Sequence, residues 1–273
     1  VGDALVAHRS AGLASLELGV PIDERTRFRI ASVSKQFTCA ATLLLAERGQ
    51  LDVAAPARSL LPDLPEAYAA ITVAQLMHNT SGIRDMFEIQ RQGGGDLSVP
   101  LTSEDLLEGI CRQRTLNFEP GSRYLYSNSN FMLLGLIVER LSDMKLETFL
   151  EREIFGPLGM TSTQHTPDLR ISIPHLATGY LVDEGRFIRA PHAFPLGGEG
   201  GLVSCVMPRR GACWATACCG RWSRRHPSPT ARQTSMRGGW PSDPIAACRP
   251  SATAGCGPAS APNTSARPTR GSR

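Results

Sequence analysis

The sequence contains very little lysine. Two lysines stand against twenty-seven arginines in 273 residues. Arginine does not lose its proton in proteins, so among these twenty-nine side chains only Lys35 and Lys145 could release one. No stretch approaches the roughly 18 apolar residues of a membrane span, and none is predicted. No secretory leader is recognisable, but the sequence begins at Val1 instead of a methionine. We therefore expect residues to be missing before it, and the compartment stays open between cytoplasm and periplasm.

The last quarter of the chain lacks leucine, phenylalanine, tyrosine and lysine. Residues 205–273 contain 11 arginines and one acid, a net charge of +10, whereas residues 1–204 have 18 basic and 24 acidic side chains, a net charge of −6. With so few aliphatic side chains, the tail cannot bury enough apolar area to offset the entropy of ordering it. We predict a folded domain at 1–204, incomplete at both ends, and an Arg/Pro/Ser/Ala/Cys-rich tail at 205–273.

Two interpretations of this tail are open. A GC-rich gene read in the wrong frame from about Cys205 would give such a composition, and the product would be disordered. Alternatively, a genuine basic tail could bind nucleic acid or an anionic membrane. Scattered prolines and the absence of an amphipathic stripe argue against a folded binding module, so we expect no nucleic-acid partner. The six tail cysteines show no C-x-x-C and no zinc-finger histidine spacing.

Residues 1–204 combine helical and strand patterns. The apolar spacing after Ser32 predicts a central buried helix capped by Gly49, in which Cys39 and Leu43 widen the apolar face. Further elements are predicted as follows: two short strands within 3–17 that turn near Arg9–Ser10, a loop through "VPIDERTRF", a short helix in "ITVAQLMHNTSGIRD", a helix from Ser103, a buried helix in "FMLLGLIVERL", a helix in "LETFLEREIFGPLGM" closed by Gly156–Pro157, and a hairpin turning at Glu184–Gly185.

One of the two lysines lies three residues after a serine, in "IASVSKQFTCAATLLLAERGQ". Ser32 and Lys35 would share one face of a helix, close enough to hydrogen-bond. A serine hydroxyl needs a neighbour that takes its proton before it can act as a nucleophile. The pattern alone is weak, because Ser142 and Lys145 match it too, among charges between two helices. Ser32 could also simply cap the helix.

A second polar cluster, "YLYSNSN", follows the turn "FEPGS". On an extended segment, the side chains of Tyr126 and Asn128 point the same way. Tyrosine can relay a proton, and asparagine can hold a substrate amide. The alternative is a structural tyrosine with a satisfied hydroxyl, which leaves the positioning turn unexplained.

In this order, the motifs resemble the serine β-lactamase and penicillin-binding-protein superfamily, especially its class C-like branch. The resemblance covers roughly residues 2–204 and includes "FRIASVSKQFT", "LMHNTSGIRD", "FEPGSRYLYSNSNFMLLGLIVE", "IFGPLGM" and "GGEGGLVS". Within that branch, the sequence looks most like the bacterial D-aminopeptidases. The resemblance implies an α+β, β-lactamase-like fold, in which an all-α region lies beside an antiparallel sheet flanked by helices.

The resemblance also implies roles for the four residues. Ser32 would be the acylated nucleophile, Lys35 would activate it, Tyr126 would be the general base, and Asn128 would hold the substrate amide. The backbone N–H of Ser32 would form half of the oxyanion hole. No metal or organic cofactor is implied, and the expected partner is a small-molecule or peptide substrate. The oligomeric state stays open.

One motif of that family is missing. A K-T-G or H-x-G strand should line the pocket and supply the second oxyanion N–H, and nothing after Ser204 fits, with Arg237–Gly238–Gly239 the nearest approximation. We therefore expect the C-terminal strands to be absent. The sequence predicts a serine acyl hydrolase that cleaves amide or ester bonds of D-amino-acid-like substrates through an acyl-enzyme. The alternatives are an inactive or truncated relative that binds such ligands, and a β-lactamase or esterase.

Overall fold

The computed structural model describes residues 9–95, 101–190 and 196–206. These residues form helices and short antiparallel strands. The helices are α1 (Lys35–Glu47), α2 (Ala57–Leu60), α3 (Val73–Met77), α4 (Met86–Gln92), α5 (Ser103–Cys111), α6 (Asn128–Ser142), α7 (Leu146–Leu150) and α8 (Gly156–Leu158). The strands are β1 (Leu13–Ser15), β2 (Val20–Pro21), β3 (Phe28–Arg29), β4 (Gln164–His165), β5 (Tyr180–Asp183), β6 (Arg186–Arg189) and β7 (Leu202–Ser204).

Helix α1 forms where the apolar spacing predicts it. A 3₁₀ turn, Ala31–Ser34, leads directly into it, and Gly49 ends it with a φ of 70°. Glycine adopts this left-handed conformation without the steric cost that a Cβ would add. The predicted apolar face is too wide, however, because Leu43 is exposed and Cys39 is only partly buried.

Helices α1 and α6 form the centre of the helical region. Nine of the fifteen residues of α6 are buried, and its apolar side chains share one core cluster with those of α1. Phe37 of α1 packs edge-on against Phe155, with ring centroids 5.4 Å apart. The predicted "FMLLGLIVERL" helix is thus confirmed, although it begins earlier, at Asn128.

Shorter helices cover one side of this pair, and side-chain caps fix where they begin. Thr72 and Thr102 each form a capping box, at α3 and α5. Asp85 caps α4, a helix that the sequence analysis did not predict. Each cap satisfies backbone N–H groups that the first turn of a helix leaves without partners.

The helix predicted for "LETFLEREIFGPLGM" does not close at Gly156–Pro157. A π-helical turn, Glu151–Phe155, joins α7 to α8, and Pro157 lies inside α8 near its start. Proline is tolerated there because the first turn of a helix needs no N–H donor. The element ends at Gly159, whose φ is 67°.

Three small antiparallel sheets complete the fold. β7 lies between β3 and β4, and β5 pairs with β6. The β5–β6 hairpin turns at Glu184–Gly185, as predicted. At the N-terminus, β1 pairs with β2, which lies in the stretch predicted to be a loop. The first predicted strand, with its turn near Arg9–Ser10, falls mostly on residues 1–8, outside the described residues.

The predicted C-terminal tail, with its proposed absence of strands, also lies outside the described residues, which end at Val206. Within the part of the chain that is described, no helix is long and apolar enough to cross a membrane.

Candidate active site

Ser32 occupies a tight turn at the start of α1. Its hydroxyl is exposed to solvent, and the preceding residue, Ala31, has a φ of 46°. A non-glycine residue in this conformation is strained and persists only where its surroundings hold it. Two hydrogen bonds to β7 do so, from the Ile30 N–H to the Leu202 carbonyl (3.0 Å) and from the Leu202 N–H to Ser34 Oγ (3.2 Å).

Lys35 is buried, with only 7% of its surface exposed. Its Nζ lies 3.1 Å from Ser32 Oγ, 2.8 Å from Asn128 Oδ1 and 2.7 Å from the backbone carbonyl of Glu199. Three acceptors match the three N–H donors of an ammonium group. These contacts hold Nζ beside the Ser32 hydroxyl.

Tyr126 contacts the same serine hydroxyl. Its hydroxyl oxygen lies 2.6 Å from Ser32 Oγ, and Lys35 Nζ lies 4.9 Å from the centre of its ring. The loop that presents Tyr126 is held by Asn79, whose carbonyl accepts the Leu125 N–H and whose Oδ1 accepts the Ser127 N–H. A proton can thus pass between Ser32 and either Lys35 or Tyr126.

Asn128 is the first residue of α6, not part of an extended segment as the sequence predicted. Ser127, the residue before it, is extended, with φ −145° and ψ 123°. Asn128 still reaches the site, because Oδ1 faces Lys35 and its Nδ2 donates to Asp85 Oδ2 at 2.7 Å. The backbone N–H of Asn128 donates to the same oxygen at 2.6 Å.

A glycine-rich loop before β7 supplies the carbonyl that contacts Lys35. Thr38 Oγ1 donates to the Gly198 carbonyl at 2.6 Å, and a side chain on Gly198 would collide with Thr38 and with the backbone of Phe131. Glycine is therefore required for this close approach to α1 and α6.

Glu199 is the one acidic residue of this loop, and its side chain is buried, with 2% of the residue exposed. Oε1 accepts the Gly197 N–H at 2.9 Å, while Oε2 is buried and has no hydrogen-bond partner among the described residues. Burial raises the pKa of Glu199, and the hydrogen bonds from the backbone N–H groups of Glu199 and Gly197 only partly oppose this rise.

His165, on β4, connects this loop to α7. Its Nε2 lies 3.1 Å from the Gly197 carbonyl, and its Nδ1 lies 3.8 Å from Glu147 Oε2. This Nδ1 distance is longer than a hydrogen bond. The interaction with His165 is the largest cause of the lowered pKa of Glu147.

The four residues singled out from the sequence therefore meet at one point, whereas the second serine–lysine pair lies apart from it. Sequence reasoning missed Asp85, Glu199 and His165. Asp85 closes the quoted motif "SGIRD", and Glu199 is an acid between glycine pairs in "GGEGG", so both had a signal. Among the residues described, no cluster of histidine, cysteine, aspartate and glutamate could hold a metal ion.

Comparison with known proteins identifies the family. The family model described as Beta-lactamase matches residues 1–208, so this chain belongs to the beta-lactamase family, and its fold is β-lactamase-like. A D-aminopeptidase of Cereibacter sphaeroides is 36% identical over 167 residues, 61% of this chain and 32% of that protein.

Two solved structures show the same fold. The penicillin-binding protein from Bacillus halodurans superposes with a TM-score of 0.68 at 25% identity, over 80% of this chain and 66% of that one. The D-amino acid amidase from Ochrobactrum anthropi SV3, complexed with D-phenylalanine, gives a TM-score of 0.61 at 26% identity, over 71% of this chain and 57% of that one. The chain spans about a third of the length of these curated D-aminopeptidases.

Proposed function

We propose that this protein is a serine acyl hydrolase of the penicillin-recognising type, which cleaves amide or ester bonds through an acyl-enzyme on Ser32. The observation that carries the proposal is the pair of contacts to Ser32 Oγ, from Tyr126 OH at 2.6 Å and Lys35 Nζ at 3.1 Å. Nucleophile and base lie within hydrogen-bond reach of each other, as nucleophilic catalysis requires.

In the proposed acylation step, Ser32 Oγ attacks the carbonyl carbon of the substrate while its proton passes to Lys35 or Tyr126. The carbonyl oxygen becomes an oxyanion, which the Ser32 N–H would stabilise. Collapse of this intermediate re-forms the carbonyl and breaks the bond to the leaving amine or alcohol, which takes up the proton that Ser32 released, delivered through Tyr126. Water then attacks the acyl-enzyme with the same residues as base, and Ser32 regains its proton.

Asn128 would serve both the lysine and the substrate. One Nδ2 proton is donated to Asp85, and Oδ1 accepts from Lys35. The amide has a second N–H and a second lone pair for further bonds, which a substrate amide could use. Lys35 would then keep its orientation while the substrate is bound.

For the substrate, we propose D-amino-acid amides and peptides. The relatives named D-aminopeptidase and D-amino acid amidase support this class over penicillins. A β-lactamase must also hydrolyse its penicilloyl ester quickly, and no residue described here is dedicated to that step.

The second candidate is an inactive relative that only binds such ligands. The absence of a K-T-G or H-x-G motif from the sequence favours it, because losing one oxyanion donor alone costs roughly 10²–10³ in kcat. In keeping with this, we propose residues 1–204 as the hydrolase domain and 205–273 as a tail outside it.

Labelling separates the two candidates. The full chain is treated with a fluorophosphonate probe, and the adduct is mapped by mass spectrometry, alongside assays with D-alanyl p-nitroanilide and a cephalosporin. The proposal expects label on Ser32 and faster turnover of the D-alanyl substrate. A chain that binds D-alanine amides but never becomes labelled would establish the binding-only relative, and faster cephalosporin turnover would reverse the substrate assignment.

A further inference from the structure

We propose that Asp85 is a positioning residue that sets the orientation of the Asn128 amide, and through it the position of Lys35. The inference rests on the proposed function, because it assigns Asp85 a part in activating Ser32. Asp85 touches neither Ser32 nor Lys35 in any hydrogen bond of the described residues, so its effect passes through Asn128.

The two oxygens of Asp85 serve two different structures. Oδ1 accepts the N–H groups of Phe87 and Glu88 at 3.0 and 3.3 Å and so caps α4. Oδ2 accepts the backbone N–H and the Nδ2–H of Asn128 at 2.6 and 2.7 Å. One carboxyl group therefore joins the start of α4 to the start of α6.

This arrangement determines which end of the Asn128 amide faces Lys35. Asp85 Oδ2 can receive the NH₂ end of the amide but offers nothing to its oxygen, since an ionised carboxylate only accepts. The amide oxygen must then turn to Lys35 Nζ, which it meets at 2.8 Å. A flipped amide would place N–H donors against the donors of Lys35 and leave the lysine short of one acceptor.

The surroundings keep this linkage in place. Ser129 Oγ donates to the carbonyl of Arg84, the residue before Asp85, at 2.7 Å. Ser81 Oγ donates to Asn130 Oδ1 at 2.6 Å. Two further hydrogen bonds thus fasten the segment before α4 to the first turn of α6 next to the Asp85–Asn128 contact, so Asp85 has little freedom to move away from Asn128.

Two substitutions separate the two tasks of Asp85. Asp85→Ser keeps an oxygen that caps helices well but is too short to reach Asn128. Asp85→Asn keeps the shape but has only one acceptor oxygen, so its NH₂ group opposes either the α4 cap or the donors of Asn128. Asp105→Asn is the matched control, because Asp105 completes the capping box of α5 through Thr102 and is not part of the site.

The experiment measures the rate of Ser32 labelling by a fluorophosphonate in the full chain, as a function of probe concentration. In Asp85→Ser and Asp85→Asn, the limiting rate at saturating probe should fall at least about 10-fold, with a much smaller change in the half-saturating concentration. The same Asp85 substitutions in an Asn128→Ala background should change the rate less than about 2-fold, because the group through which Asp85 acts is gone. Asp105→Asn should label at the wild-type rate.

The outcomes are distinct. Wild-type labelling rates in both Asp85 variants, or equal losses with and without Asn128, would overturn the inference. Circular dichroism and thermal unfolding show whether each variant folds. If Asp85→Asn does not fold, the labelling rate of Asp85→Ser decides the question. Wild-type chain that is never labelled on Ser32 would instead refute the proposed function itself.

Discussion

The chain contains the pattern serine–x–x–lysine twice, and the two copies differ in the burial of the lysine and in the contacts of both side chains. Lys35 is 7% exposed and meets three acceptors. The side chain of Lys145 is 76% exposed and lies 4.0 Å from Glu139 as a surface ion pair. Ser142 Oγ donates back to the Val138 carbonyl of its own helix at 2.7 Å. Spacing alone therefore defines no site.

The backbone explains the difference. Ser32 and Lys35 follow one another through a continuous 3₁₀ and α-helical segment, so both side chains share one face. Between Ser142 and Lys145 the chain leaves α6 through Asp143, whose φ is 54°, before α7 begins at Leu146. The second pair is split by a helix end, and its lysine faces solvent, where an ion pair contributes little.

The largest expected effect tests the two serines. Ser32→Ala should abolish labelling by a fluorophosphonate, with a loss of hydrolysis on the order of 10⁶ for removal of a nucleophile. Ser142→Ala should be labelled at the parent rate, because that hydroxyl is engaged by its own helix. Mass spectrometry of the labelled peptide measures both. Label on residue 142 of the parent chain would reverse the comparison.

The second effect tests the two lysines. Lys35→Arg keeps the positive charge but cannot release a proton, so labelling should slow about 10²–10⁴-fold, as for loss of a general base. Lys145→Arg should leave the rate unchanged. An arginine at position 35 that supports near-parent labelling would show that Lys35 acts only through its charge.

The third effect concerns the buried carboxyl beside Lys35. Since burial raises the pKa of Glu199, its contribution to stability is complete below the ordinary carboxyl value of 4.5 and is lost as pH rises through the raised pKa. Glu199→Gln cannot ionise, so its free energy of unfolding relative to the parent should increase from pH 4 to pH 8, measured by urea denaturation.

Glu147→Gln is the control of opposite sign. In the parent chain the pKa of Glu147 is lowered, chiefly by His165. The contribution of Glu147 to stability is therefore present above its ordinary pKa and is lost as pH falls through the lowered pKa. The variant should therefore lose stability relative to the parent as pH rises from 3 to 6. Parallel pH curves for parent and Glu199→Gln would contradict the assignment for Glu199.

The smallest effect compares two buried serines at the start of α6. Within residues 9–95, 101–190 and 196–206, Ser127 Oγ has no hydrogen-bond partner, whereas Ser129 Oγ donates to the Arg84 carbonyl at 2.7 Å. Ser127→Ala should leave the free energy of unfolding unchanged or raise it by less than about 1 kcal/mol, and Ser129→Ala should lower it by about 1–3 kcal/mol. Thermal or urea unfolding resolves the two. A larger loss for Ser127→Ala would reveal a partner for its hydroxyl.

Much of the helical region could be predicted from the sequence because its periodicity is strong. The helices that begin at Lys35, Ser103 and Asn128 all carry apolar residues at helical spacing or clear cap residues. The two-residue strands could not be predicted. A strand as short as Val20–Pro21 has too few residues to show the alternation of apolar and polar side chains that indicates a strand. The π-helical turn Glu151–Phe155, which precedes Gly156–Pro157, has no recognised sequence signal either.

The candidate site also contains residues that could be predicted from the sequence and residues that could not. Ser32, Lys35, Tyr126 and Asn128 could be predicted because the motifs fix their spacing, and the structure brings them together. Asp85 and Glu199 stand in recognisable motifs, but their roles could not be predicted, because those roles depend on contacts across 43 and 164 residues. Only the folded chain shows that the Asp85 carboxyl group binds Asn128 and that the backbone carbonyl of Glu199 binds Lys35.

Because β3 pairs with β7, the candidate site can form only after β7 has been synthesised. The turn that carries Ser32 is fastened to Leu202 through Ser34 across 168 residues. At synthesis rates of about 5–20 residues per second, roughly 10–30 s separate the emergence of the two ends. Throughout that interval β3 has an open edge, which could pair with another nascent chain. Ser32, the proposed nucleophile, is thus fixed in place only after Leu202 has been made, and a shorter nascent chain carries no assembled site.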